Sequence, residues 1–310
     1  MNYTLHQLQI FQKIVELRSI TKASEELNLT QPAVSIQLKN FQDQFPIPLT
    51  EVTGRQLYVT DFGQEIAKAA DKILKEVYAI NYKTKSFQGK LSGRLKIASA
   101  STGKYVMPYF LSSFISENPE VELAINVTNK SKVVSSLEKN EVDFALVSVM
   151  PKKLKLNSVT LMPNSLYLLG SRDFNISKRT KKRDLFEKMP LIYREQGSAT
   201  RMAMESFIAR RRYSVQKKIE LMSNEAVKQA VLAGLGFSIM PLIGIKNELK
   251  NNDLQIIPVK GLPMHTNWYL VWLKSKKLSP VALAYLEYIK EHKEELIAKS
   301  FSWVKDYDDV

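Results

Sequence analysis

Four polar side chains crowd one short stretch of the chain: Gln31, Ser35, Gln37 and Lys39. Amides and hydroxyls can hydrogen-bond base edges, and an ammonium can hold a phosphate. Such chemistry works from a helix lying in the major groove of duplex DNA, and the stretch predicts one. Thr30 is placed to cap it, and Pro32 falls in its first turn, where the missing N–H costs nothing. Val34, Leu38 and Phe41 repeat every three or four residues and mark the side to be buried. A shorter helical pattern precedes it, capped by Ser19 and carrying Ile20, Ala23 and Leu27, with a break at Asn28-Leu29-Thr30. Residues 19–45 thus describe a helix-turn-helix whose second helix enters the groove. Two helices of an ordinary bundle would show the same periodicity. The surroundings separate the two readings: a helix before the pair, a short wing after it, then one long helix.

Two further stretches could hold an anion. Ser99-Ala100-Ser101-Thr102-Gly103-Lys104 leads from a strand into a helix, and Tyr193-Arg194-Glu195-Gln196-Gly197-Ser198-Ala199-Thr200-Arg201 does the same later on. Each combines backbone N–H groups at a helix start with small hydroxyls and a cation. Facing each other across a cleft they would grip a small negative molecule, with Lys104, Arg194 and Arg201 as candidate charge partners. Helix capping is the alternative role for any one of these hydroxyls.

Composition narrows the classes. The chain has 310 residues, 45% hydrophobic, and no cysteine, so neither a disulfide framework nor a thiolate metal site exists. Three histidines, His6, His265 and His292, make a poor basis for a metal or catalytic centre. No Gly-x-Ser-x-Gly elbow, phosphate-binding P-loop or metal-ligand cluster is present, so neither an enzyme nor a cofactor is expected. The start, MNYTLHQLQIF, has no basic segment followed by an apolar run, and no apolar stretch is long enough to span a bilayer. A cytoplasmic protein without membrane contact is expected. The net charge is +14. Residues 1–90 hold 11 Lys+Arg against 9 Asp+Glu, so +12 of it lies in the remaining 220 residues. The charge is therefore poor evidence for the DNA site. Lys178-Arg179-x-Lys181-Lys182-Arg183 and Arg210-Arg211-Arg212 are its densest runs, expected as exposed surface.

The elements that must position these groups follow in order. Thr4-Leu5-His6-Gln7 predicts a capping box, and Leu5, Leu8, Phe11, Ile14 and Val15 the buried stripe of the first helix. Pro46 to Thr60 forms the wing, with Leu57-Tyr58-Val59 as a strand and Arg55 at the tip beside Gly54, able to enter a minor groove. Asp61-Phe62-Gly63-Gln64 predicts a second capping box, opening a helix that runs to about Phe87. Ile66, Ile73, Ile80 and Phe87 recur every seven residues along it, with Ala70, Leu74 and Val77 between. So long a stripe calls for a partner helix and hence a dimer. Gln88 to Gly93 is the hinge. Strands are then expected at Arg94–Ser99, Val121–Val127 and Val142–Val149, with helices at Gly103–Glu117 and Ser131–Asn140. That order implies a parallel sheet with ligands at the strand C-terminal ends. A second unit carries strands at Leu166–Ser171, Leu191–Arg194, Lys218–Met222 and Gly236–Met240, with helices at Ser198–Arg211 and Asn224–Ala233. Asn267–Leu273 returns as a strand, and Pro280–Lys299 is a helix packing back on the first unit. Phe301, Trp303 and Tyr307 point to a docked C-terminus.

The stretch from Leu5 to Thr60 resembles the winged helix-turn-helix of LysR-type transcriptional regulators. The carrying residues are Leu8-x-x-Phe11, Ser19-Ile20-Thr21-Lys22-Ala23-Ser24, Leu29-Thr30-Gln31-Pro32-Ala33-Val34-Ser35 and Thr53-Gly54-Arg55, followed by Leu57-x-x-Thr60-x-x-Gly63. A weaker likeness continues to about residue 295. The resemblance implies an α/β protein with three parts. They are a winged helix-turn-helix (1–60), a long dimerisation linker helix (61–90) and a two-lobed α/β effector-binding domain of the periplasmic-binding-protein type (91–300). Lobe one would comprise 91–163 and 268–300, and lobe two 164–267. The implied DNA-contacting set is Thr21, Lys22, Thr30, Gln31, Pro32, Ser35, Gln37, Lys39 and Arg55. The two anion stretches resemble those of regulators of Calvin-cycle operons, which implies a small metabolite or oxyanion as effector. Ser99, Ser101, Thr102, Lys104, Arg194, Ser198, Thr200 and Arg201 would hold it, completed by Thr128 and Ser148. Implied partners are double-stranded DNA, further copies of the chain as a dimer or dimer of dimers, and RNA polymerase if the protein activates. The sequence departs from the family at Leu49-Thr50-Glu51-Val52, where Leu-Phe-Glu-Arg is usual, and at Ile36, where many relatives have arginine. A solute-binding or enzymatic α/β protein without a transcriptional role is the alternative. Selection of a preferred duplex would tell them apart.

Overall fold

The computed structural model describes residues 2–54, 56–87, 90–174 and 182–307. The chain divides into two compact units, Met1–Gly89 and Lys90–Val310.

In the first unit, α1 (Leu5–Leu17), α2 (Ile20–Leu27) and α3 (Gln31–Gln42) each begin where a hydroxyl can catch a free N–H. Thr4 and Gln7 cap each other reciprocally, Ser19 accepts from Lys22 N, and Thr30 accepts from Ala33 N. Arg18 and Asn28 end α1 and α2 in the left-handed conformation. The core gathers Leu8, Ile10, Phe11 and Ile14 of α1 with Val34, Leu38 and Phe41 of α3. The α1 stripe differs from its expected form in two places. Leu5, the first residue of the helix, is 45% exposed, whereas Ile10 is fully buried. Ile10 is buried because α1 packs on α2, α3 and the long helix α4 (Asp61–Phe87), so more than one of its sides is covered. Gln12 Nε2 donates to the Ala67 carbonyl of α4 at 3.0 Å.

The wing has two strands, β1 (Thr50–Thr53) and β2 (Gln56–Val59), antiparallel about Gly54 at φ +65°. Sequence had suggested only the second. Thr50 holds the first in place: its N and Oγ1 donate to Gln42 Oε1 at 3.0 and 2.8 Å. The cap of α4 is Thr60, one residue before the expected box. Its Oγ1 accepts from Gly63 N at 2.9 Å and donates to the Pro48 carbonyl at 2.7 Å. Gly63 is required because a Cβ there would lie 2.0 Å from the Leu49 carbonyl oxygen.

The second unit is built on a seven-stranded mixed sheet. Strand β3 (Gly93–Ala100) lies between β4 (Val121–Thr128) and β5 (Phe144–Val147), all parallel, as the alternating pattern implied. A 3-10 turn (Ser101–Tyr105) separates β3 from α5 (Met107–Glu117), and α6 (Lys130–Glu138) links β4 to β5. Next comes β6 (Leu156–Ser171), sixteen residues long, ten more than the pattern suggested. Its antiparallel partner is β11 (Met264–Leu273), which also pairs with β5. Both strands run through the expected lobe boundaries, 163/164 and 267/268, so backbone hydrogen bonds continue from one lobe into the other. In lobe two, α7 (Lys182–Lys188) precedes β7 (Leu191–Arg194), α8 (Ala199–Arg211), β8 (Lys218–Leu221), α9 (Asn224–Leu232) and β9 (Ser238–Pro241). Strand β9 pairs with β6. Phe237, just before it, exchanges backbone bonds with Pro190 and Ile192, attaching the parallel pair β7–β8. The short α10 (Lys246–Lys250) leads to β10 (Leu254–Ile256), the outer neighbour of β6.

Finally, α11 (Pro280–Phe301) packs its Val281, Ala282, Tyr285, Leu286 and Ile289 into the lobe-one core with Phe110 and Trp268. The segment from Phe301 to Tyr307 docks as expected. Phe301 stacks on Phe110, Trp303 and Tyr307 pack on the lobe-two core, and Tyr167 Oη donates to the Tyr307 carbonyl at 2.7 Å.

Phe41 is fully buried against Tyr3, Phe11 and Phe45. We expect Phe41→Ala to destabilise the first unit by about 3–5 kcal/mol, read as a lowered thermal midpoint by circular dichroism.

Candidate functional site

On α3 the buried Val34, Leu38 and Phe41 turn the opposite face outward. Thr30, Gln31, Pro32 and Lys39 are exposed, and Ser35 and Gln37 are half-buried at the two margins of that face. Thr21 and Lys22 are exposed on the first turn of α2. None of the eight belongs to the core. Arg55 lies outside the described residues. The module thus presents a capped helix N-terminus with amide, hydroxyl and ammonium groups, suited to phosphate oxygens and base edges.

The second site lies where the C-terminal ends of β3, β4 and β5 face the β7–α8 loop. Ser99, at the end of β3, is fully buried and donates to the Ala100 carbonyl at 3.1 Å. Ser101 and Thr102 sit in the 3-10 turn, the first half-buried and the second buried. Gly103 is needed there: a Cβ would fall 2.2 Å from Ser99 Oγ and 2.6 Å from Leu146 Cδ2. Thr128 ends β4 half-buried, and Ser148 follows β5 buried. From the other lobe, Ser198 caps α8 and Thr200 lies buried in its first turn.

Arg194 joins the two sides. Its side chain is 3% exposed at the end of β7. Nε and Nη2 donate to the two carboxylate oxygens of Glu195 at 2.8 and 3.0 Å, and Nη2 also donates to Ser101 Oγ across the cleft at 2.9 Å. Nη1 is buried and has no hydrogen-bond partner. A guanidinium nitrogen left so is a strong invitation to an acceptor, because an unmade charged hydrogen bond is costly. The lobes meet again at Gly197, φ +84°, where a Cβ would approach Ser131 Oγ to 2.7 Å.

The other two candidate cations are placed differently. Lys104 is exposed, its ammonium 4.9 Å from the Tyr105 ring centroid. Arg201 is committed within lobe two: Nε donates to Glu205 and Nη1 to Glu220 and to the Arg194 carbonyl. The hydrogen bonds it donates to Glu220 and then to Glu205 hold its guanidinium still more firmly charged. The bond to the Arg194 carbonyl ties it to the loop that carries that residue. Tyr193, beneath it, has its phenol pushed up to about 12 by burial and then by the Glu205 charge.

Reading the sequence missed four contributors. Glu195 neutralises Arg194. Asn129, Lys130 and Ser131 open α6 opposite Gly197, with Asn129 as the cap accepting from Lys132 N at 3.1 Å. The Lys130 ammonium is lowered by burial and then by Lys152. The signal was available: Thr128-Asn129-Lys130-Ser131 repeats the hydroxyl-rich strand-to-helix pattern of the other two loops. Among the described residues no cluster of His, Asp or Glu could hold a metal ion, and no helix is long and apolar enough to cross a membrane.

Residues 5–64 match the bacterial regulatory helix-turn-helix family of LysR type, and residues 88–294 match the LysR substrate binding domain. The chain is a LysR-type transcriptional regulator. It is 36% identical to the HTH-type transcriptional activator CmpR of Synechocystis, over 97% of this chain and 99% of that one. The RuBisCO operon transcriptional regulator of Allochromatium vinosum is 34% identical, over 93% and 96% respectively. These relatives place the regulator with the Calvin-cycle-operon type expected from its loops. Among solved structures, the Synechocystis CcmR regulatory domain in complex with 2-PG superposes with a TM-score of 0.61 at 30% identity, covering 68% of this chain and 99% of that one. Full-length CbnR with its target DNA shares the fold, at a TM-score of 0.65 and 18% identity over 93% and 98%. The LysR-type regulator therefore couples a DNA-binding module to a two-lobed effector-binding domain.

Gly103→Ala should destabilise the effector-binding unit by about 1–3 kcal/mol, since buried Ser99 and Leu146 have to give way. Thermal denaturation of the full chain against wild type measures it.

Proposed function

We propose that a small anion, sitting between the lobes on Arg194, sets how this regulator occupies its operator. The observation that carries the proposal is the Arg194 side chain, buried at the lobe junction, bonded to Ser101 of the facing lobe and holding one donor unused. Backbone N–H groups at the start of α8, with the hydroxyls of Ser99, Thr102, Thr128, Ser148 and Thr200, would take the remaining anion oxygens. Binding of 2-PG by the CcmR regulatory domain supports a small phosphorylated ligand. Such a ligand switches the protein only if it favours one arrangement of the lobes over another. Contacts that span the lobes, such as Arg194–Ser101, supply that preference.

On the DNA side, α3 of each protomer reads bases, with the Arg55 wing tip in the adjacent minor groove. A dimer matches two half-sites, and a dimer of dimers would bend the DNA between them. The pairing element is α4. Ala67, Ala70 and Leu74 are consumed by the first unit's own core, while Ile73 and Ile80, about 100° round the helix from Leu74, are 42% and 63% exposed. That leaves an apolar stripe for the same helix of a second copy. The complex would form in the cytoplasm, with RNA polymerase as a further partner where the outcome is activation.

Two measurements test this. Calorimetry with 2-phosphoglycolate should show binding to the wild-type chain that weakens at least tenfold in the double variant Arg194→Ala/Glu195→Ala, which leaves no unpaired buried charge behind. Equal binding by both overturns the site. Ile73→Glu should shift the protein toward monomer in sedimentation, with weaker operator binding. An unchanged dimer overturns the α4 pairing.

A further inference from the structure

The DNA-reading face of α3 carries a residue with no hydrogen-bonding group. Ile36 is 58% exposed. It lies about 200° round the helix from Val34, almost diametrically opposite the buried row. It takes no part in the core of the first unit. Of its neighbours one turn away, Pro32, Lys39 and Asn40 are exposed and Ala33 is half-buried. A branched aliphatic side chain gives a solvated helix face neither helix propensity nor hydration, so the fold gains nothing from it there. The surrounding groups suit a polyanion: Lys39 on one side, and the capped N-terminus with Gln31 on the other. An apolar spot inside such a rim fits one feature of the major groove, the C5-methyl group of thymine.

We infer that Ile36 is a specificity-determining residue, reading a thymine methyl in each half-site by apolar contact. The inference rests on the α3 reading of DNA proposed above and deepens it. It assigns the centre of the recognition face to shape and methyl contact rather than to hydrogen bonds. Gln31 and Ser35 then read polar base edges to one side, while Lys39 fixes the register through phosphate.

The experiment starts from duplex sites selected by the full-length protein from a random library. Each thymine of a half-site is replaced singly by deoxyuridine, which deletes the methyl and leaves pairing intact. Affinity is measured by fluorescence anisotropy for wild type and Ile36→Ala. Alanine is a stronger helix former on an exposed face, so the variant stays folded, as its melting curve will show. The expected result is one or two thymines whose replacement weakens wild-type binding about fourfold, the scale of burying one methyl group. The same replacement should leave Ile36→Ala binding unchanged. Indifference of the wild type to every replacement overturns the inference, as does a sensitivity that survives in Ile36→Ala. Failure to enrich any site overturns the DNA reading itself and the inference with it, and is distinguishable because no half-site then exists to substitute.

Discussion

What α3 can offer to DNA is set by what it has to hide. Val34 and Phe41 are fully buried and Leu38 nearly so, and they lock the rotation of the helix against Leu8, Phe11 and Ile14 of α1. A rotation by one residue, about 100°, would bury Ser35 and expose Val34. The free energy of the apolar contacts therefore enforces the direction in which Gln31, Ser35 and Ile36 point, although none of those residues contributes to the core. Helix α4 completes the same core from the far side, so the element expected to join two protomers also stiffens the reading head.

The effector-binding unit is governed by a different constraint, the cost of a buried charge. Arg194 is held out of water at the lobe junction and is kept there by Glu195, its neighbour in sequence. Breaking that pair would leave an uncompensated charge, which is far more costly than the pair is worth. The bond to Ser101 makes the arrangement sensitive to lobe position, because donor and acceptor belong to different lobes. Around it the lobes are linked by β6 and β11, which cross the boundary as one antiparallel ladder, and by the C-terminal segment from Phe301 to Tyr307, whose aromatic rings pack on both cores. Motion of one lobe against the other must flex these links, which favours a small set of defined positions over free hinging.

Local signals were legible where one residue type does one job. Thr4, Ser19 and Thr30 cap as their spacing implied, and the parallel order of β3, β4 and β5 follows from their alternation with helices. They failed where a partner distant in the chain intervenes. Ile10 was not expected inside, yet it is buried because α1 is covered from several directions. Thr60 rather than Asp61 opens α4, since its hydroxyl is also anchored to Pro48. Strand β6 was expected to begin only at Leu166, yet the long partner β11 holds the ten residues before it extended, Pro163 among them.

The sequence by itself determined the family, the reading helix, and the two loops that meet at the cleft, because capping, periodicity and hydroxyl-rich strand ends are short-range properties. Only the tertiary structure decided which cation lies buried at the cleft. Lys104, Arg194 and Arg201 look alike along the chain. Folding gives Lys104 to the surface and Arg201 to Glu205 and Glu220, and it buries Arg194 beside Ser101 with one nitrogen unmatched. Charge is a property of a residue, whereas the availability of that charge depends on burial and on partners that only the folded chain brings within reach.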